Sequence, residues 1–165
     1  MSKGFTLMEI LAVMLVIALI ASFALPALRS VRSEAYYHRA KTAGIKLAEA
    51  IRSYYRDSKG FLPVTGEING DTVAGQTYTC DRSKLSGVPG QGTSVSIEQL
   101  FACGYLSTKD FAGLPYKFSS GLSSASDYNG ALVRGTGQDS DRAGRYKGKT
   151  FIIARNMAIT EPFSD

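Results

Sequence analysis

The chain has 165 residues, with 19 lysines and arginines against 14 acidic residues, so its net charge is +5. This length suits one modest domain. His38 is the only histidine, which argues against a histidine-based catalytic triad or a multi-histidine metal site. The sequence also has no phosphate-binding or dinucleotide-binding glycine motif. We therefore expect a protein that is not an enzyme and needs no cofactor.

The first predicted element is a membrane-spanning helix. Residues 10–28 are apolar except for Ser22 and Pro26, and as a helix they reach about 28 Å, close to the thickness of a bilayer core. Lys3 makes the short segment before this run positive, which predicts that the N-terminus stays on the cytoplasmic side. No second apolar stretch has spanning length, so we expect the chain to cross a membrane at most once.

A carboxylate, Glu9, lies at the front of this apolar run. An ionised carboxylate inside lipid costs about 2.5 kcal/mol or more, so an acid at this place indicates a function unless it reaches the interface. The alternative is that Glu9 simply lies in the headgroup layer. We favour a functional carboxylate that needs a cationic partner.

The sequence GFTLME at residues 4–9, the apolar run and Pro26 together resemble the class III leader of type IV pilins and of type II secretion pseudopilins. The resemblance implies that a prepilin peptidase removes residues 1–4 by cutting after Gly4 and methylates the new N-terminus at Phe5. It also implies that the Phe5 amine, whose ordinary pKa is near 8, pairs with Glu9 of a neighbouring subunit and sets the register of assembly.

The same resemblance implies partners and a location. The expected partners are further copies of the chain in a helical homopolymer, the peptidase, and an inner-membrane assembly platform with its ATPase. The precursor would lie in the bacterial inner membrane, and the mature subunit in an extracellular pilus that serves adhesion, motility or DNA uptake. The alternative is a pseudopilin that forms a short periplasmic pseudopilus and drives protein export.

Beyond Pro26 the apolar residues continue at spacings of three and four, which is typical of one face of an amphipathic helix. They are Tyr36, Ala40, Ala43, Leu47, Ala50, Ile51 and Tyr54. The pattern predicts one long helix with a membrane segment at 5–28 and an amphipathic half at 29–58. Pro26 should kink it, and Gly44 should be a milder weak point. Lys59-Gly60 and then Pro63 predict its end.

Residues 59–165 form the predicted globular head, with an αβ-loop followed by a small antiparallel sheet. Strands are expected at 116–118, 131–134 and 150–155, and a short helix at 97–103. The stretches 86–94 and 136–144 are expected to be loops. The fold class is therefore α+β, one long helix packed on a small antiparallel sheet. This is the pilin fold that the resemblance implies.

Cys80 and Cys103 are the two cysteines of the chain. In an oxidising compartment such a pair commonly closes a loop, so we expect a disulfide between them. The alternative is two reduced thiols, since the spacing is not that of a redox or zinc motif.

Two features of the head bear on the secretion alternative. Residues 100–120 resemble the module that precedes the sheet in major pseudopilins, although its Asp-Pro-Trp-Gly core is missing. Those proteins also bind calcium in a late acidic loop, for which the weak candidates here are Asp127, Asp139 and Asp141. Their spacing matches no defined calcium loop, so we interpret them as solvated turn residues and expect no metal site.

The excess of positive charge lies on the predicted helix. Arg29 and Arg32 follow the apolar run directly and are placed to contact anionic headgroups before assembly. Arg32, Arg39 and Lys46 recur every seven residues along one stripe. A DNA-binding minor pilin would need exposed basic surface, and we keep this as the least favoured alternative.

Overall fold

The computed structural model describes residues 7–57, 64–81, 95–121 and 131–160. Its helices and strands, in chain order, are α1 (Leu7–Asp57), β1 (Val64–Asn69), β2 (Val95–Ser96), α2 (Ile97–Ala102), β3 (Tyr116–Gly121), β4 (Ala131–Gly137), β5 (Thr150–Ala154) and β6 (Ile159–Thr160). Short 3-10 turns at Thr108–Asp110 and Gly144–Tyr146 lie in the connections.

The six strands form one sheet in the order β2-β1-β3-β4-β5-β6. Neighbouring strands are antiparallel except for β1 and β2, which pair in parallel over two residues. The architecture is α+β, with a long apolar helix packed on a small mixed sheet. The predicted fold class is confirmed, and the arrangement is consistent with the pilin fold.

The sequence patterns located the longer elements of the head. β3, β4, β5 and α2 lie where strands and a helix were predicted, with β3 and β4 each three residues longer. β1, β2 and β6 were not predicted, because β2 and β6 are only two residues long and β1 contains Gly66 at φ +119°. Lys59-Gly60, Pro63 and the loop at 86–94 lie outside the described residues.

The single long helix is confirmed across the described residues, and only its second half is packed. The buried residues of α1 are Ser33, Tyr37, Ala40, Ala43, Gly44, Leu47, Ala48, Ala50, Ile51 and Tyr54. They recur at three- and four-residue spacing, so they form one stripe that faces the sheet. All seven apolar positions of the predicted stripe lie on this side, with Tyr36 half-buried and the other six buried.

Phe151 of β5 lies between two glycines, and this contact sets how closely α1 approaches the sheet. A β-carbon on Gly44 would lie 2.9 Å from the Ile153 Cδ1 atom and 3.0 Å from the Phe151 Cε2 atom. Gly135 of β4 stands opposite Phe151 in the sheet register, and a β-carbon there would overlap the ring. Gly44, expected to be a weak point of the helix, is therefore a point of close packing between the helix and the sheet.

Aromatic rings continue the core from Phe151 towards α2. Phe118 and Phe151 have centroids 6.4 Å apart, Phe111 and Phe118 are 5.1 Å apart, and Phe101 and Phe111 are 5.6 Å apart, all in edge-to-face geometry. Edge-to-face pairs contribute about 0.5–1.5 kcal/mol beyond the area they bury. This chain of rings joins the helix, the sheet and α2 into one core.

We predict that Gly135→Ala lowers the free energy of unfolding by about 1–3 kcal/mol, because the added methyl group forces the fully buried Phe151 ring out of place. The measurement is urea unfolding of the full chain in detergent, followed by circular dichroism. Lys117→Ala on the exposed side of β3 is the control and should change stability by less than about 0.5 kcal/mol. Equal midpoints for Gly135→Ala and the wild type would contradict the packing argument.

Candidate functional site

The first half of α1 carries a large uncovered apolar surface. Fifteen large hydrophobic side chains between Leu7 and Val31 are exposed, with fractions from 52% at Leu28 to 81% at Met8. An 18-residue window of this helix has a mean hydropathy of 2.7, and none of it is buried. By length and composition the helix is able to cross a membrane.

This surface needs an apolar environment. Moving one large aliphatic side chain from water to an apolar environment is worth about 1.5–3 kcal/mol. Covering fifteen exposed ones therefore gains more free energy than the unfolding free energy of a typical domain. The apolar residues surround the helix instead of forming one stripe, which is the pattern of a helix covered on all sides. Lipid or other copies of the same helix meet this requirement.

Glu9 lies in the first turn of α1, and its side chain is exposed. The N-terminal end of a helix carries a partial positive charge that favours a carboxylate there. The first turn is therefore a favourable place for an acidic side chain, besides the predicted pairing of Glu9 with a neighbour. Gly4 and Phe5, the predicted sites of cleavage and methylation, lie outside the described residues and stay predictions.

α1 continues through Pro26 without a break. Because proline has no amide hydrogen, the carbonyl of Ser22, four residues earlier, loses its usual donor within the helix. The Ser22 hydroxyl donates to the Leu19 carbonyl at 2.7 Å. Pro26 thus removes one helical hydrogen bond within the exposed half, at the position where the sequence predicts a kink.

Cys80 and Cys103 form the expected disulfide, with their Cα atoms 4.8 Å apart. Cys103 is the C-terminal cap of α2, and Cys80 lies in the irregular segment that follows β1. Beside it, the Asp81 amide donates to the Gln99 Oε1 atom at 3.0 Å. The disulfide therefore fastens the connection after β1 to α2.

The three acidic residues considered for calcium are not brought together within the described residues. Asp127 lies outside them. Asp139 forms an ion pair with Lys147, and its hydrogen bond raises the pKa of the Lys147 ammonium. Asp141 is exposed in the same loop. In the described part of the chain, no group of three or more histidine, cysteine or acidic side chains is placed to hold a metal ion.

An arginine-lined groove of about 680 Å³ lies where the bare half of α1, the half with the exposed apolar side chains between Leu7 and Val31, meets the head. We call it the junction groove. Arg29, Arg32 and Tyr36 of α1 line one wall, and Arg142 and Arg145 from the loop after β4 line the other. The sequence pattern indicates the two helix arginines but not the two loop arginines. No local pattern indicates that this loop contacts the helix.

Close packing holds that loop against α1. A β-carbon on Gly144 would lie 2.7 Å from the Cβ atom of the buried Ser33, and Gly144 has φ +53°, which favours glycine. The Tyr146 ring stacks on Tyr37 with centroids 4.0 Å apart, and its hydroxyl donates to Glu34 at 2.9 Å. These contacts fix the position of the loop along the helix axis.

The four arginines differ in their pairing. Arg145 pairs with Glu34, and Arg142 pairs with Asp71. Within the part of the chain that the structure describes, the helix arginines Arg29 and Arg32 have no ion-pair partner. The free cationic groups of the junction groove are therefore those that directly follow the apolar half of α1.

The rest of the basic stripe behaves differently. Arg39 is exposed, and Lys46 forms an ion pair with Asp110 at the 3-10 turn. His38 is exposed, with its Nε2 atom 3.4 Å from the Glu34 carboxylate. The lysine at the end of the stripe is therefore neutralised within the chain.

The geometry defines a globular head on one continuous helix, whose second half belongs to the core and whose first half is bare. No family model, curated protein or solved structure matches this chain.

We predict that Cys80→Ser/Cys103→Ser lowers the free energy of unfolding by about 2–4 kcal/mol, because the disulfide restricts the unfolded chain. Urea unfolding in the presence and absence of a reductant tests this. Reductant should lower the midpoint of the wild type to that of the double variant and leave the variant unchanged. A double variant as stable as the oxidised wild type would contradict the assigned role.

Proposed function

We propose that this protein is a structural subunit of a type IV pilus filament. The observation that carries the proposal is the division of α1 into a docked half and a half that is bare on all sides. The GFTLME sequence at residues 4–9, Glu9 in the first helical turn and Pro26 within the helix support it. In this proposal a prepilin peptidase removes residues 1–4 and methylates Phe5.

The bare half of α1 lies in two different environments, one before and one after assembly. It anchors the precursor in the bacterial inner membrane, and after assembly it packs against the same segment of other copies. Lipid chains are about as apolar as leucine, so exchanging lipid for protein contacts gains little from the hydrophobic effect. Close packing and polar pairs must then favour assembly, which is the role we propose for the Phe5 amine and Glu9 of a neighbour.

The proposal includes the partners of such a subunit. These are further copies of the chain, the prepilin peptidase, and an inner-membrane platform with its ATPase. The head, joined to the membrane segment by one continuous helix, would cover the outside of an extracellular filament. The proposed functions of the filament are adhesion, motility or DNA uptake.

A pseudopilin of a type II secretion system is the second candidate, and one observation favours it. The stretch 100–120, which resembles the pseudopilin module, contributes Leu106, Phe111 and Leu114 to the core in the connection between α2 and β3. A pseudopilus would be short and periplasmic, so the location of the processed protein separates the two candidates.

The test of the proposal is the mass of the protein in filaments sheared from cells. We expect the dominant subunit to begin at N-methylated Phe5 and to be two hydrogens lighter than its reduced form. Replacing Gly4 should leave the full-length precursor in the membrane. Processed protein confined to the envelope would favour the pseudopilus, and residues 1–4 retained in cells with an active peptidase would refute both candidates.

We predict that Glu9→Ala permits processing but reduces filament yield roughly tenfold or more, because the Phe5 amine loses its partner in an apolar environment. The yield of sheared filaments relative to processed subunit in the membrane measures this effect. Glu49→Ala, an exposed glutamate on the docked half of α1, is the matched control. Undiminished filaments from Glu9→Ala would rule out the amine pairing.

A further inference from the structure

We infer that the junction groove binds the phosphate of an anionic phospholipid headgroup while the subunit is anchored in the membrane. The inference rests on the membrane-anchoring part of the proposed function and goes beyond it. It assigns a ligand to a groove built from two segments more than 100 residues apart in the chain, Arg29–Tyr36 of α1 and Asp141–Arg145 of the loop.

The depth of the groove fits the headgroup layer. The apolar run ends at Leu28, so Arg29 and Arg32 lie about 2 and 6 Å further along the helix axis. The polar layer on each side of a bilayer core is about 5–8 Å thick. Both arginines are therefore at the level of the lipid phosphates when residues 10–28 span the core.

The wall opposite the helix lies at the same level because of specific packing. Gly144 fits directly against Ser33, one residue beyond Arg32, and the Tyr146 ring stacks on Tyr37. These contacts place Arg142 and Arg145 on the far side of the groove. The groove is thus held open by the core of the head and does not depend on the membrane to form it.

The charges suit one singly charged phosphate. The groove has four arginines, of which Arg142 and Arg145 pair with the carboxylates of Asp71 and Glu34. Asp141 is the third carboxylate, so the net charge of this group is +1. The arginines left without a partner in the described part of the chain are Arg29 and Arg32, and a guanidinium offers paired donors that match two phosphate oxygens.

A second arginine-lined groove provides a matched control. Arg52 and Arg155 line it together with Tyr55, and its volume is about 350 Å³. Arg52 lies 24 residues after Leu28, about 36 Å along the helix, which is beyond the reach of the headgroups. Neutralising Arg52 and Arg155 changes the net charge as much as neutralising Arg29 and Arg32, but at a distance from the membrane that the headgroups do not reach.

The experiment is native mass spectrometry of the full chain in detergent, titrated with phosphatidylglycerol and with phosphatidylcholine of the same acyl chains. We expect the wild type to bind phosphatidylglycerol at least tenfold more tightly. Because Arg29 and Arg32 supply the free guanidinium donors of the junction groove, Arg29→Gln/Arg32→Gln should weaken phosphatidylglycerol binding roughly tenfold to thirtyfold. Arg52→Gln/Arg155→Gln should change it less than about twofold.

Other outcomes would overturn the inference. Equal losses in the two double variants would show a response to net charge alone. Displacement of the lipid by inorganic phosphate at similar concentration would identify a soluble phosphate as the ligand. No preference for phosphatidylglycerol, together with weaker crosslinking between copies in Arg29→Gln/Arg32→Gln, would assign the groove to an acidic surface of a second copy.

Failure of the proposed function is measured separately. Flotation of the wild type with phosphatidylcholine vesicles tests whether the chain inserts in a membrane, and sheared filaments test assembly. A chain that inserts but does not bind phosphatidylglycerol refutes only the lipid site. A chain that binds phosphatidylglycerol but forms no filament refutes only the filament.

Discussion

The first half of α1 is apolar on all sides and is left uncovered by the head, so it requires an apolar environment outside the folded domain. Its fifteen exposed large hydrophobic side chains surround the helix, so no single neighbouring surface of the head is able to cover them. Folding of the chain by itself therefore leaves a surface that is incompatible with water. The head meets this constraint by packing only on the second half of the helix, which leaves the first half available to lipid or to other copies.

Docking of the second half of α1 requires small residues at defined places. Phe151 is accommodated because both Gly44 and Gly135 lack a side chain, and this brings helix and sheet close enough to share one core. At the N-terminal end of the half of α1 that packs on the head, Ser33 and Gly144 make a similar close contact. These contacts set the position of the head along the helix. They therefore also set the distance of each head residue from the apolar half of α1.

The distribution of charge bears on the proposed orientation. Lys3 is the cation before the apolar run, whereas Arg29 and Arg32 follow it, so a count of the nearest charges alone opposes an N-terminus in the cytoplasm. That count governs short loops, whereas long domains are translocated largely regardless of charge. The Cys80–Cys103 disulfide agrees with a head in an oxidising compartment. A singly charged phosphate bound between the two arginines would offset the net charge of +1 of the junction groove on that side.

Local periodicity and composition predict the long helix, its apolar and amphipathic halves, the cysteine pair and the main strands. Glu9 and Pro26 also stand out in the sequence, because they differ from the apolar residues around them. The order of the strands and the short elements β2 and β6 depend on long-range pairing, since two-residue strands exist only through their partners. Long-range packing likewise accounts for the role of Gly44 and for the contact of Arg29 and Arg32 with the groove that Arg142 and Arg145 line. The periodicity of α1 shows which face of the helix is buried, but neither segment carries a local signal of which distant residues pack against it.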